Sequence, residues 1–133
     1  MYGFIAIFLF LNFKQFAHTI TNTQQPPSIG LRADIKTVNY LYEQNKHMLF
    51  CVRIYTPPVI PYTYLYLFSY YSSLGYIKPT EGFTNNTCWY IFDTETYKFR
   101  VQKWRKEQIP EKAVLKKRVI MKNETVIELW EES

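Results

Sequence analysis

Tyr62-Thr63-Tyr64-Leu65-Tyr66-Leu67-Phe68-Ser69-Tyr70-Tyr71 is the stretch on which the reading of the fold turns. Its even positions are all aromatic, and its odd positions are Thr63, Leu65, Leu67 and Ser69. A period of two places alternate residues on opposite faces of a strand, so this segment reads as a strand with one aromatic wall and one aliphatic face. The same period continues outward on both sides. Upstream, Val38, Tyr40 and Tyr42 share one strand face, and Glu43 to Lys46 makes a turn. Next, Met48, Phe50, Val52 and Ile54 oppose Leu49, Cys51 and Arg53, up to Thr56-Pro57-Pro58. Downstream, residues 72–86 carry loop signals in Ser72-Ser73, Gly75, Pro79, Gly82 and Asn85-Asn86. Thr87–Phe92 and Tyr97–Trp104 then read as a hairpin around residues 93–96, with Tyr97, Phe99 and Val101 alternating against Lys98, Arg100 and Gln102. Pro110 restricts any helix to Glu111 onward. Val119–Met121 and Thr125–Trp130 suggest a last pair of strands around Lys122-Asn123-Glu124. Six or seven short strands with no βαβ spacing predict an antiparallel all-β fold, a barrel with a β-sandwich as the alternative.

The front of the chain bears on where the protein works. Tyr2 to Phe13 is apolar except for Gly3 and Asn12, and Lys14-Gln15-Phe16-Ala17-His18-Thr19 follows. That run is short for a bilayer span but suits the apolar region of a secretory signal peptide, with a signal anchor as the alternative. The expected arrangement is a signal peptide over 1–19, with the mature chain starting between His18 and Ile20. An extended segment over 20–33 around Pro26-Pro27 and a single domain over 34–133 follow. Secretion predicts an oxidising compartment, in which Cys51 and Cys88 form one intramolecular bridge, the alternative being two free or separately paired thiols. Asn85-Asn86-Thr87 and Asn123-Glu124-Thr125 satisfy the glycosylation pattern, so Asn85 and Asn123 are acceptor candidates.

Composition excludes a disordered chain, since 19% of the residues are aromatic, among them 12 Tyr and 10 Phe. The net charge of +5 is uneven. Residues 98–118 hold nine basic side chains against Glu107 and Glu111, leaving the remainder near −2. Such a segment suits an acidic glycan or an anionic surface, or else a solvated face, and secretion argues against nucleic acid. Catalytic residues are few: His18 and His47 are the two histidines, and no metal-ligand spacing, phosphate loop or nucleophile elbow occurs. The chain therefore reads as a binding protein without a catalytic centre, metal or cofactor. A wall of Tyr can line a cavity for an amphipathic ligand or a cationic amine. The plainer reading makes it ordinary core with some Tyr exposed.

Tyr40 through Val52, ending in Leu49-Phe50-Cys51-Val52, resembles the first two strands of the tick salivary lipocalins. Cys88-Trp89-Tyr90-Ile91, Val101-Gln102-Lys103-Trp104 and Ile109-Pro110 resemble that family's later hairpin and the segment after it. The likeness covers about residues 34–115. It implies a secreted, monomeric, eight-stranded barrel, here incomplete, sequestering a small host mediator such as histamine, serotonin or a leukotriene. Tyr64, Tyr66, Phe68, Tyr97, Phe99 and Trp104 would line its cavity. The family's amine-binding Asp falls at Trp89, its Glu-Leu pair at Gln102-Lys103, and its next cysteine near Ala113. These departures shift the expected ligand from an amine toward an apolar or amphipathic mediator. The alternative function is an extracellular β-sandwich module that binds a protein or an acidic glycan through residues 98–118.

Overall fold

The computed structural model describes residues 30–57 and 60–133. The proposed signal peptide and most of the entry segment lie outside the described residues. Seven elements follow: α1 (Leu31–Gln44), β1 (Val52–Tyr55), α2 (Tyr62–Ser73), β2 (Thr87–Phe92), α3 (Lys98–Gln108), β3 (Ala113–Ile120) and β4 (Val126–Glu132). The strands form one open sheet in the order β1-β2-β4-β3. β1 runs parallel to β2, and β4 lies antiparallel to both β2 and β3. The fold is thus mixed α and β, and the expected all-β barrel or sandwich is corrected to an open sheet flanked by helices.

Three strands and one turn follow the sequence reading, and Val52–Tyr55 keeps part of the strand read over residues 48–54. Thr87–Phe92 is a strand, and the final pair is a hairpin whose turn places Glu124 at a φ of 64°. Three segments differ, α1 and α2 because an apolar helical stripe coexists with the alternation, and α3 although its inward stripe includes the polar Arg105 and Gln108. In α2 the buried residues are Tyr64, Leu67 and Phe68, with Tyr71 half-buried, the i, i+3, i+4, i+7 pattern of a helix face. Nearly every position there is apolar, so the period of two and the period of 3.6 fit equally well. In α1 the buried face is Thr37, Val38, Leu41 and Tyr42, so residues 31–33 and the predicted first strand are both helical. In α3 the inward positions are Val101, Trp104, Arg105 and Gln108, while Tyr97 and Phe99 are exposed, and the second hairpin arm is a helix. The stretch after Pro110, where a helix was allowed, is β3.

Each helix closes where its sequence permits. Gly75, at a φ of 93°, follows the last turn of α2, and the Tyr76 N–H donates to the Tyr71 carbonyl at 3.1 Å. This left-handed residue satisfies carbonyls that a helix end leaves open. At the end of α1 the Asn45 amide donates to the Leu41 carbonyl at 2.7 Å.

The sheet separates two apolar clusters. On one face Val52, Trp89, Ile91 and Ile127 meet Val38, Leu41 and Tyr42 of α1 and Tyr64, Leu67 and Phe68 of α2. On the other, Cys51, Tyr55, Cys88, Tyr90 and Phe92 lie under Val101 and Trp104 of α3. Cys51 and Cys88 form a disulfide that joins β1 to β2, with their Cα atoms 4.6 Å apart. No helix among the described residues is long and apolar enough to cross a membrane.

Candidate functional site

The six side chains expected to line one cavity are distributed over two helices and do not share a volume. Tyr64 and Phe68 are buried in the core between α2 and the sheet. Tyr66 is in solvent, stacked on Tyr70 with ring centroids 6.3 Å apart. Tyr97 and Phe99 are exposed at the start of α3, where the Arg100 guanidinium lies 4.8 Å and 5.9 Å from their ring centres. Trp104 packs edge-on against Tyr55, Tyr90 and Phe92. The wider wall divides the same way, because a helix turns Tyr62 and Tyr70 outward with Tyr66. Phe68 and Trp104 do reach one common space, a cleft of about 420 Å³ beside β1.

The basic segment 98–118 comprises α3 and β3. Helical geometry sends Lys98, Lys103 and Lys106 outward, and all three are exposed. Arg118 stands across from Glu128 on β4, on the same side of the sheet as α3. Lys117 points to the opposite side, where its Nζ donates to Gln44 Oε1 at 2.7 Å. Lys98, Arg100, Lys106 and Lys112 have no ion-pair partner among the described residues.

What turns this face positive is the treatment of its central acid. Glu128 sits on the interior strand β4 and is 1% exposed. Arg105 reaches down from α3 and donates to both its oxygens, at 2.7 Å and 2.9 Å. The Trp130 indole N–H adds a third hydrogen bond at 3.0 Å, and Arg118 Nε stands 3.6 Å away. Arg105 also lies over the Phe92 ring, 3.8 Å from its centre. A paired, hydrogen-bonded carboxylate of this kind is neutralised inside the fold; on the surface above it Lys103 pairs with Glu107 at 3.9 Å, while Lys98 and Lys106 have no ion-pair partner among the described residues. Sequence reasoning missed this group. Its signal was the alternation of Ile127 and Leu129 with Glu128 and Trp130, which puts a carboxylate and an indole on one covered face.

A second polar cluster closes the end of the sheet near α1. The Tyr64 hydroxyl donates to Asp93 Oδ1 at 3.0 Å, and Thr125 donates to the same oxygen at 3.0 Å. Burial pushes the Asp93 carboxyl above its ordinary value, against the lowering effect of those two hydrogen bonds. Asp34 is raised as well, by burial first and then by the neighbouring Asp93 charge. Tyr64 is pushed up by burial and by both carboxylates. Among the described residues no group of three or more His, Cys, Asp or Glu side chains is arranged to hold a metal.

The two sequons lie in different settings. Asn85 is exposed in a turn with a φ of 50°. Asn123 is half-buried, and its amide donates at 2.7 Å to Thr125, itself 1% exposed. No family model, characterised protein or solved structure matches the chain.

Proposed function

We propose that this protein is a binding module that engages an acidic polymer, of the sulfated or carboxylated glycan class, through the face built by α3 and β3. The observation that carries the reading is the internal neutralisation of Glu128 by Arg105, beneath a helix whose outward positions are Lys98, Lys103 and Lys106. Exposed cations that outnumber their acidic neighbours, here Lys98, Lys103 and Lys106 against Glu107, produce a field that attracts a polyanion and falls off within about 10 Å at 0.1 M salt. Arg118 continues that field onto the sheet beside the exposed apolar side chains Leu115 and Ile120. A cystine-linked sheet suits an extracellular setting, in which such glycans are the abundant polyanions.

Retention on immobilised heparin, eluted with a salt gradient, tests the reading. The wild-type chain is expected to bind, and Lys98→Glu, Lys103→Glu and Lys106→Glu together to weaken binding by about tenfold or more at 0.1 M salt. Unchanged elution of the triple variant would reject this face as the contact. The substitutions are exposed, so circular dichroism of the variant should match the parent.

A further inference from the structure

We infer that the cleft beside β1 receives the carboxyl-terminal end of a partner polypeptide, which extends the sheet by one strand. This inference is independent of the basic face. β1 is the edge of the sheet, next to β2 alone. The Cys51 and Tyr55 carbonyls accept from Trp89 and Asp93 N–H, so the alternation of a strand turns the backbone groups of Val52 and Ile54 to the outer side. Part of that side is already in use. The Val52 N–H donates to the Thr80 carbonyl at 2.8 Å, and the Thr80 N–H donates to the Phe50 carbonyl at 3.0 Å, a parallel bridge. The ladder stops there. Ile54 has no backbone partner on its outer side among the described residues.

The space facing the outer side of Ile54 is built. Leu65 and Phe68 of α2 wall one side and Trp104 of α3 the other, enclosing about 420 Å³. Thr80 occupies the neighbouring rung of the ladder, and Pro61 at the head of α2 also lines the space. Arg53 supplies a place for a terminal carboxylate. Its Nε donates to the Glu81 carbonyl at 3.0 Å, and its Nη1 donates to the Gln108 carbonyl and side-chain oxygen at 2.9 Å and 3.1 Å. Those bonds hold the guanidinium in place, and its Nη2 hydrogens have no acceptor among the described residues. Lys78 at the same cleft adds a second cation, against the single acid Glu81. An edge strand that offers main-chain hydrogen bonds, an apolar pocket and a fixed cation is the combination that reads an extended peptide end.

The test uses N-terminally fluorescein-labelled hexapeptide pools ending in Val, Leu, Ile or Phe, each as the free acid and as the C-terminal amide. Fluorescence polarisation on the full chain is expected to show at least one free-acid pool binding about tenfold or more tighter than its amide. Arg53→Gln should remove that preference, and Leu65→Glu should block binding. Because Arg53 also ties β1 to α3, amide chemical shifts provide the second measurement. Bound free acid should move the Ile54 N–H downfield in the wild-type chain. Equal binding of acid and amide would overturn the carboxylate reading. Binding of decanoate, a small amphipathic anion, with no binding of any peptide pool would overturn strand addition and assign the cleft to a small mediator. No binding of any probe would reject the site.

Discussion

Arg105 and Glu128 show what a single residue decides here. Glu128 is buried, and every hydrogen bond to its oxygens comes from Arg105 or Trp130. Removing Arg105 takes away two of the three hydrogen bonds to that carboxylate and leaves the exposed Arg118, 3.6 Å away, as its remaining cation, so Arg105→Ala is expected to cost about 1.5–3 kcal/mol in denaturant unfolding. Arg105→Lys keeps a charge but loses the bidentate fork and should fall between Ala and wild type. A loss below about 1 kcal/mol for the Ala variant would mean that Glu128 is not held as described. Asp93 sets a pH dependence of known sign. Its carboxyl is raised mainly by burial, with Asp34 raised beside it. The folded state therefore holds these protons more tightly than the unfolded chain, whose carboxyls titrate near 3.8. Stability from this pair is full below about that value and declines as pH rises through the raised folded pKa. Asp93→Asn keeps an acceptor for Tyr64 and Thr125, so its unfolding free energy should vary less with pH than the parent's over that acidic window. Matching slopes for parent and variant would refute the assignment.

At the scale of elements, α2 is the informative case, because strand and helix readings of the same residues make opposite forecasts. A strand would place Tyr64, Tyr66 and Phe68 on one face with equal burial. The helix buries Tyr64 and Phe68 and leaves Tyr66 62% exposed. Phe68→Ala is expected to cost about 3–5 kcal/mol, and Tyr66→Ala to stay within about 0.5 kcal/mol. Similar large losses at both sites would restore the strand. This element also shows why part of the fold could not be seen in the sequence. Where almost every position is apolar, neither period has polar gaps to contradict it. In α3 the difficulty is reversed, since the inward positions include Arg105 and Gln108. Both look like surface residues until their partners, Glu128 and Arg53, are brought close by the sheet. β2 was legible as an unbroken apolar run between Asn85-Asn86 and Asp93, and the final hairpin by its polar turn at Lys122-Asn123-Glu124, whereas residues 113–118 of β3 were not. The basic character of residues 98–118 was legible too, but not its division between a helix and a strand with Lys117 facing away. The cleft at β1 was not, since it depends on which strand becomes the edge.

For the whole molecule, the sheet depends on a parallel pair of only four residues at β1, joined across a long crossover. The disulfide between Cys51 and Cys88 spans 37 positions and ties that pair at its start. Closing a loop of that length removes unfolded-state freedom worth about 4 kcal/mol. Reduction should lower the denaturant midpoint correspondingly, and Cys51→Ser with Cys88→Ser should reproduce the loss without reductant. An unmoved midpoint in both would show that the bridge contributes nothing to holding β1.

The same bridge gives the chain a covalent ring that contains α2 and the segment from Leu74 to Gly82, which is exposed at Leu74, Gly75, Ile77 and Lys78. A protease that cuts once inside this ring opens a peptide bond without releasing either piece. The product would be a two-chain protein that runs as one species until a reductant is added, with both partners of β1 and β2 still tethered. The segment that walls the β1 cleft could thus be nicked while the sheet stays assembled, so its survival under proteolysis is governed by the state of two sulfur atoms as much as by the intactness of the backbone.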